Sequence, residues 1–240
     1  MTKAYMNWSG GKDSSLCLHR VLQDKKYSVD TLLTSINATY DRISMHGVRR
    51  ELLVAQANAL GIPLTTIELP EQPSMQEYET TLLQKVNTLR SEQYTHALFG
   101  DIFLEDLKRY REQQLQQVGI TAVFPLWQVS TKQLMQEFLA AGFKAIIVCV
   151  NEQFLDKSFC GRLIDESFVR DLPAHVDVCG ENGEYHSYVF DGPVFKQPIP
   201  CTKGELVYRR YDAPLSNSPN GNTCQPSQYG FYFCDLLPGA

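Results

Sequence analysis

The chain has 240 residues, 43% hydrophobic and 20% charged, which is enough apolar material for a large α/β domain with a smaller partner. The formal net charge of -5 argues against a surface built around nucleic-acid phosphates, so small molecules are the expected ligands. No apolar run approaches the roughly 18 residues of a membrane helix, and the first residues lack a signal-peptide apolar segment. We therefore expect a cytoplasmic protein that does not bind membranes.

The first half of the chain alternates short apolar runs with segments of helical periodicity, a pattern typical of β-α-β units. Strands are predicted at residues 4–8, 31–36, 64–69, 96–100 and 122–124. Helices are predicted from about Asp13, around Leu53 to Leu60, over 75–89 and before Gly119. These elements predict an α/β fold with a doubly wound, parallel five-stranded sheet in a domain spanning residues 1–127.

The pattern changes after Pro125. Ser130-x-x-Gln133 resembles a capping box, and an apolar strand follows at 145–150. From residue 172 onward, turn signals predict short strands, a mobile loop at 215–228 and an aromatic strand at 229–236. We predict a smaller C-terminal α+β domain over residues 128–240, with the last strand available for a homodimer contact.

The seven cysteines form an odd number and contain no C-x-x-C pair, so we expect reduced thiols rather than disulfides. Free cysteine is among the most buried residue types, and small buried side chains are the simplest interpretation. The five histidines show no zinc-ligand spacing either.

The strongest local signal is a strand followed by a glycine turn and a helix. The turn consists of Ser9, Gly10, Gly11, Lys12, Asp13 and Ser14. Such a turn aims unpaired backbone N–H groups and the positive end of a helix at one point, where a phosphate chain is stabilised. Lys12 adds a full charge and the serines add hydroxyl donors. The alternative is a glycine-rich connection without a ligand.

This turn fits neither the Walker A pattern nor the Rossmann pattern, but S-G-G-x-D-S resembles the PP-loop of ATP pyrophosphatases. The resemblance implies ATP and Mg²⁺ as cofactors, a HUP-type fold, and a reaction at the α-phosphorus with pyrophosphate as leaving group. It also implies catalytic roles for Lys12 and Asp13, with Asp13 holding the metal directly or through water.

Six further segments make the chain similar to the diphthine-ammonia ligase family of PP-loop proteins. They are D-R-I-S-M-H-G-V-R at 41–49, G-D-I at 100–102, P-L-W at 125–127, G-F-K-A-I-I-V at 142–148, L-I-D at 163–165 and C-G-E-N-G-E-Y-H-S at 179–187. The resemblance implies that a small or protein-bound carboxylate is adenylated with release of pyrophosphate, and that ammonia then displaces AMP to give an amide.

The same resemblance supplies candidates around the nucleotide. Ser35, Met45 and His46 are expected to line the adenine. Gly100 and Asp101 follow the fourth strand at the edge where ligands of α/β sheets collect. Asp101 is a candidate for catalysis and magnesium binding, or alternatively caps the next helix.

Substrate contacts are predicted from two segments. Arg49 begins a helix and faces an anionic ligand or, alternatively, solvent. The candidates in the second segment are Glu181, Asn182, Glu184 and His186. Polar groups on a glycine-bent loop favour a site over an exposed hairpin tip, because burying them without partners is costly.

This second segment departs from the pattern of the family. Asn182 replaces a glycine, and His186-Ser187 replaces Glu-Thr. A ring in place of an anion changes which charge the site prefers, so the identity of the carboxylate stays open. Two other interpretations remain: a PP-loop tRNA-modifying enzyme, which would need paired cysteines or a basic module, and an ATP or AMP sensor without turnover.

Overall fold

The structure is a computed structural model that describes residues 1–44, 46–212 and 228–239. Its first sheet contains six strands. They are β1 (Thr2–Asn7), β2 (Tyr27–Asn37), β3 (Arg42–Ile43), β4 (Leu64–Leu69), β5 (His96–Leu98) and β6 (Thr121–Val123). Five of them run parallel in the order β4, β2, β1, β5, β6, while β3 pairs antiparallel with the end of β2. The predicted five-stranded parallel sheet is confirmed, and the two-residue β3 is an addition to it.

Helices cover both faces of this sheet. The described helices are α1 (Lys12–Asp24), α2 (Arg50–Leu60), α3 (Met75–Ser91), α4 (Glu105–Gln116), α5 (Thr131–Ala140), α6 (Glu166–Asp171) and a 3-10 turn at Lys157–Phe159. Side chains of β1 alternate between two cores, as a strand requires. Ala4 and Met6 pack with α1 and α2, whereas Tyr5 packs with α3 and α4. The doubly wound arrangement is therefore confirmed.

A second sheet of four antiparallel strands follows. It contains β7 (Lys144–Asn151), β8 (Tyr185–Asp191), β9 (Cys201–Asp212) and β10 (Gln228–Pro238), in the order β8, β7, β10, β9. The predicted aromatic strand is β10, but it pairs with β7 on one side and β9 on the other. Where both neighbours pair with it, over residues 231–233, it offers no free edge. A dimer contact through the rest of this strand stays a prediction. A homodimer by another surface stays a prediction.

Two further predictions concern the C-terminal half of the chain: a capping box at Ser130 and a mobile loop at 215–228. Ser130 precedes α5 but makes no side-chain capping bond, and the Gln133 side chain donates to Glu137 at 2.8 Å. The capping box found in the structure joins Ser74 to Glu77 at the start of α3. The loop predicted at 215–228 lies almost entirely outside the described residues.

The two sheets share one apolar core, in which α1 and α2 pack against α5 and the second sheet. Tyr188 on β8 donates to the carbonyl of Leu52 at 3.0 Å, and the Lys196 amide donates to Ala59 O at 2.8 Å. These contacts hold β8 and the segment after it against α2. The division near residue 127 stays a prediction.

The six described cysteines are free, and five of them are buried, in agreement with the prediction; Cys224 lies outside the described residues. Across the described ranges, no helix combines the length and hydropathy needed to cross a membrane.

Candidate active site

The glycine turn after β1 has the geometry of an anion-binding site. Gly10 has φ of +75°, a left-handed backbone conformation that residues other than glycine rarely adopt. Gly11 then precedes the first residue of α1, and its amide donates to Ser9 Oγ at 3.3 Å. First-turn amides of a helix lack intrahelical acceptors, and those of Asp13 and Ser14 have no partner among the described residues. A ligand at these amides would have no protein acceptor to displace.

A buried glutamine holds this turn in place. Gln56 on α2 is fully buried, and its Oε1 accepts from Trp8 Nε1 at 2.9 Å. Its Nε2 donates to the carbonyls of Gly10 at 3.0 Å and Val189 at 2.6 Å. One amide thus joins the turn, α2 and β8. We did not predict this residue, because a lone glutamine in a helix carries no sequence signal for a clamp.

We expect Gln56→Leu to lower the free energy of unfolding by about 3 kcal/mol, since it leaves buried polar groups of Trp8 and Val189 without partners. Urea denaturation measures this change. The exposed Gln113→Leu on α4 is the matched control and should unfold like the wild type. A Gln56→Leu variant as stable as the wild type would contradict the clamp.

Lys12 and Asp13 form an ion pair at the start of α1. Lys12 is only 5% exposed, and its Nζ lies 2.8 and 2.7 Å from the two carboxylate oxygens of Asp13. Its ammonium also lies 5.5 Å from the centre of the Tyr185 ring. Burial alone would lower the pKa of Lys12, but Asp13 and nearby Glu181 raise it above its usual value. The lysine is therefore charged at neutral pH, beside the free amides.

Two further carboxylates, Glu181 and Asp101, face this pair. Burial, together with the charges of Asp13 and Asp101, raises the pKa of Glu181 to about 8, although Lys12 opposes the shift. Burial also raises the pKa of Asp101, which Arg111 on α4 opposes from 2.9 Å. That Nε contact is an ion pair without hydrogen-bond geometry. Three carboxylates thus lie near Lys12, and a pKa of about 8 keeps Glu181 mostly protonated at neutral pH.

Gly100 and Asp101 lie in the loop after β5, which ends two residues earlier than predicted. A Cβ on Gly100 would lie 3.0 Å from the carbonyl carbon of Asp13. Gly100 therefore lets the loop pack directly on the first turn of α1, and the predicted proximity of Asp101 to the phosphate turn is observed.

The 180–187 segment packs on the same turn. The hydroxyl of Ser187 accepts from the backbone amide of Lys12 at 3.1 Å, and the Val189 amide donates to Gly10 O at 2.9 Å. Glu184 is fully buried and accepts from the amides of Asp177 and Asn182, at 2.9 and 2.8 Å. Its carboxylate is therefore turned toward its own loop. The exposed Asn182 side chain also donates to Glu184, at 3.0 Å, so these two predicted substrate contacts stabilise the segment.

His46 and His186 meet beside the turn, with ring centroids 4.6 Å apart. A Cβ on Gly11 would lie 3.1 Å from Cε1 of His46. The residue predicted to line the adenine thus lies against the phosphate turn. Ser35 is at the carboxyl end of β2, and its carbonyl accepts from the Ser44 amide at 3.2 Å. Met45 lies outside the described residues.

Arg49 is paired with a carboxylate of the second sheet. Its guanidinium binds Asp235 on β10, at 2.6 and 3.1 Å, and Arg42 binds the same carboxylate at 2.8 Å. Burial would raise the pKa of Asp235, but hydrogen bonds from Arg49 and Arg42 lower it to about 2. Arg49 thus joins the two sheets, a role the sequence did not indicate.

Among the described residues, no group of three or more His, Cys, Asp or Glu side chains could by itself hold a metal ion. The carboxylates near Lys12 nevertheless repel one another, and a cation bound chiefly by phosphate oxygens would relieve that repulsion.

Comparison with known proteins gives several matches. A bovine (Bos taurus) diphthine–ammonia ligase is 28% identical over 55% of this chain, and the chain spans only about half of that relative's length, 52%. The human (Homo sapiens) diphthine–ammonia ligase is 26% identical over 72% of this chain and 69% of its own length. The Danio rerio diphthine–ammonia ligase is 26% identical over 85% of this chain and 88% of its own length. A solved U34-tRNA thiolase from Methanococcus maripaludis covers 58% of this chain and 56% of its own at 17% identity and a TM-score of 0.36, too low to support an argument.

Family models match both halves of the chain. The diphthamide synthase C-terminal domain matches residues 130–212. The diphthamide synthase N-terminal domain matches residues 2–122, half of the 240 residues. This chain therefore belongs to the diphthine-ammonia ligase family of PP-loop proteins.

Proposed function

We propose that this chain is an ATP-dependent ligase that converts a carboxylate into its amide with ammonia. The observation that carries the proposal is the contact between the PP-loop and the 180–187 segment, where Ser187 Oγ accepts from the Lys12 amide. A carboxylate held by that segment would lie beside the phosphates of a nucleotide held by the loop. Adenylation requires that proximity.

The phosphate turn would bind the β- and γ-phosphates of ATP. The backbone of Gly10 and Gly11, the hydroxyls of Ser9 and Ser14 and the Lys12 ammonium supply the donors. This arrangement leaves the α-phosphorus open to attack. Ser35 and Met45 are the proposed adenine contacts on the other side of the nucleotide.

The chemistry follows in two balanced steps. A carboxylate oxygen attacks the α-phosphorus, and the bond to the β-phosphate oxygen breaks with its electron pair on pyrophosphate. Ammonia nitrogen then attacks the acyl carbon, AMP leaves, and one proton is released. The first step needs no base because the carboxylate is ionised at neutral pH. Lys12 and the first-turn amides stabilise the charge that develops on the leaving pyrophosphate.

Magnesium fits this cluster of carboxylates, because a cation would relieve the repulsion among them. We propose that Asp13 holds the ion directly or through water, while phosphate oxygens supply its other ligands. The ion would offset negative charge on the departing pyrophosphate. Asp101, which is paired with Arg111, is a second carboxylate that could hold the ion through a water molecule.

The test is to incubate the purified protein with ATP, Mg²⁺, ammonium and a diphthine-containing protein, followed by a panel of small carboxylates. The expected result is AMP and pyrophosphate in equal amounts, together with conversion of the acid to the amide by mass spectrometry. ATP binding without AMP for any carboxylate would indicate a nucleotide-binding protein instead. AMP formed only with tRNA would indicate a tRNA-modifying enzyme.

A further inference from the structure

Two imidazole rings from distant parts of the chain meet at the phosphate turn. His46 lies in the turn after β3 and His186 on β8, with ring centroids 4.6 Å apart and planes inclined by 31°. The His46 ring also lies against the turn itself, because a Cβ on Gly11 would be 3.1 Å from its Cε1. Any polyphosphate held by these backbone amides would therefore lie next to the rings.

The hydrogen bonding of His46 defines which nitrogen is free. Its Nδ1 lies 3.3 Å from the carbonyl oxygen of Ser187. A carbonyl oxygen only accepts, so Nδ1 carries the proton and the neutral ring keeps its lone pair on Nε2. Throughout the described ranges no residue bonds that Nε2. Protonation there would create a new, charged donor.

Lys12 is the charged group that faces both rings. Burial and the Lys12 charge lower the pKa of His46 to about 4, although the Ser187 carbonyl opposes the shift. Burial, His46 and Lys12 likewise lower the pKa of His186 well below its usual value. Both rings are neutral near pH 7 in the absence of ligand. A nucleotide held by the phosphate turn would reverse the local balance, because its negative charges would lie beside the rings.

We propose that His46 and His186 together form a proton-accepting contact for the phosphate tail of the nucleotide, so that ATP binding takes up about one proton from solvent. The proposal rests on the proposed function in needing ATP at the phosphate turn. One proton is expected rather than two, because two charged rings at this separation would repel each other. The protonated pair donates to a phosphate oxygen and adds to the charge of Lys12.

The test is calorimetric titration of ATP and Mg²⁺ into the protein at about pH 7, in two phosphate-free buffers with different ionisation enthalpies. The dependence of the measured heat on the buffer gives the number of protons taken up. We expect the wild type to take up about one proton more than the double variant His46→Gln, His186→Gln. Taking this difference cancels proton exchange by ATP itself. AMP, which lacks the tail phosphates, should give no difference.

His175→Gln is the matched control, because His175 is exposed and far along the chain from both rings. It should take up as many protons as the wild type. Equal uptake by the wild type and the double variant would overturn the proposal. If the double variant does not fold, nitrogen NMR signals of the imidazole rings in the wild type provide the test. They should change from neutral to protonated when ATP is added, and unchanged signals would overturn the proposal.

The calorimetric titration, together with the assay of AMP formation, separates this proposal from the function on which it rests. ATP binding with AMP formation but without the proton difference overturns only the role of the histidines. Proton uptake without AMP formation for any carboxylate overturns the ligase and leaves the histidine pair supported. Absence of ATP binding overturns both.

Discussion

Replacing Lys12 with methionine should lower the rate of AMP formation by about 10²- to 10³-fold, the usual effect of removing a donor to developing charge. Lys12 is the buried cation next to the free amides of the turn, and methionine keeps most of its length without the charge. Nearby Asp13 and Glu181 would also lose their cation, so the pocket would repel polyphosphate. The measurement is AMP release with ATP, Mg²⁺, ammonium and the active carboxylate at saturation.

The matched control is Lys132→Met, which removes an exposed lysine from α5. It should form AMP at the wild-type rate. Circular dichroism should show that Lys12→Met keeps the native helix and strand content, so that lost activity is not lost folding. A folded Lys12→Met variant that forms AMP at the wild-type rate would contradict the proposed role of the phosphate turn in catalysis.

The parallel sheet was predictable because buried parallel strands are short, continuous apolar runs separated by helical periodicity. The two-residue β3 was not, since its position depends on the end of β2 rather than on any pattern of its own. The position of β10 within its sheet was not predictable for a similar reason. An aromatic strand has the same composition at the edge and in the middle of a sheet, and only its two partners place it.

Local motifs located the candidate site, but not the contacts that hold it. The phosphate turn could be found because glycine conformation and helix polarity are sequence-local properties. Gln56 could not, since its three partners come from β8, the turn and the tryptophan before it. Charge alone did not reveal the partners of Arg49 and Glu184, which were predicted as substrate contacts. Each is engaged by groups that only the fold brings near.

The phosphate turn is held from the second sheet as well as from the first. The Val189 amide and Gln56 Nε2 both donate to the carbonyl of Gly10, so the turn accepts one bond from β8 and one from α2. Ser187 Oγ, also on β8, accepts from the backbone amide of Lys12 at the start of α1. A disturbance at Gly10 should therefore affect nucleotide binding through several contacts at once.

Gly10→Ala should weaken ATP binding by about 100-fold, equivalent to about 2.7 kcal/mol. The added Cβ would lie 2.6 Å from Gln56 Oε1, and φ at this position is +75°. Gln56 cannot simply turn away, because its amide holds Trp8 Nε1 and the carbonyl of Val189. The turn must then shift, and its amides no longer converge on the phosphates. Calorimetric titration with ATP and Mg²⁺ measures the loss of affinity.

Gly142→Ala separates this effect from the general cost of alanine in a left-handed conformation. Gly142 has φ of +80°, and a Cβ there would meet no atom within 4 Å. Both variants should lose about 1 kcal/mol of stability from backbone strain, but only Gly10→Ala should lose ATP affinity. If the two variants bind ATP equally well, then the conformation of Gly10 is not what organises the phosphate site, and the nucleotide must be held elsewhere.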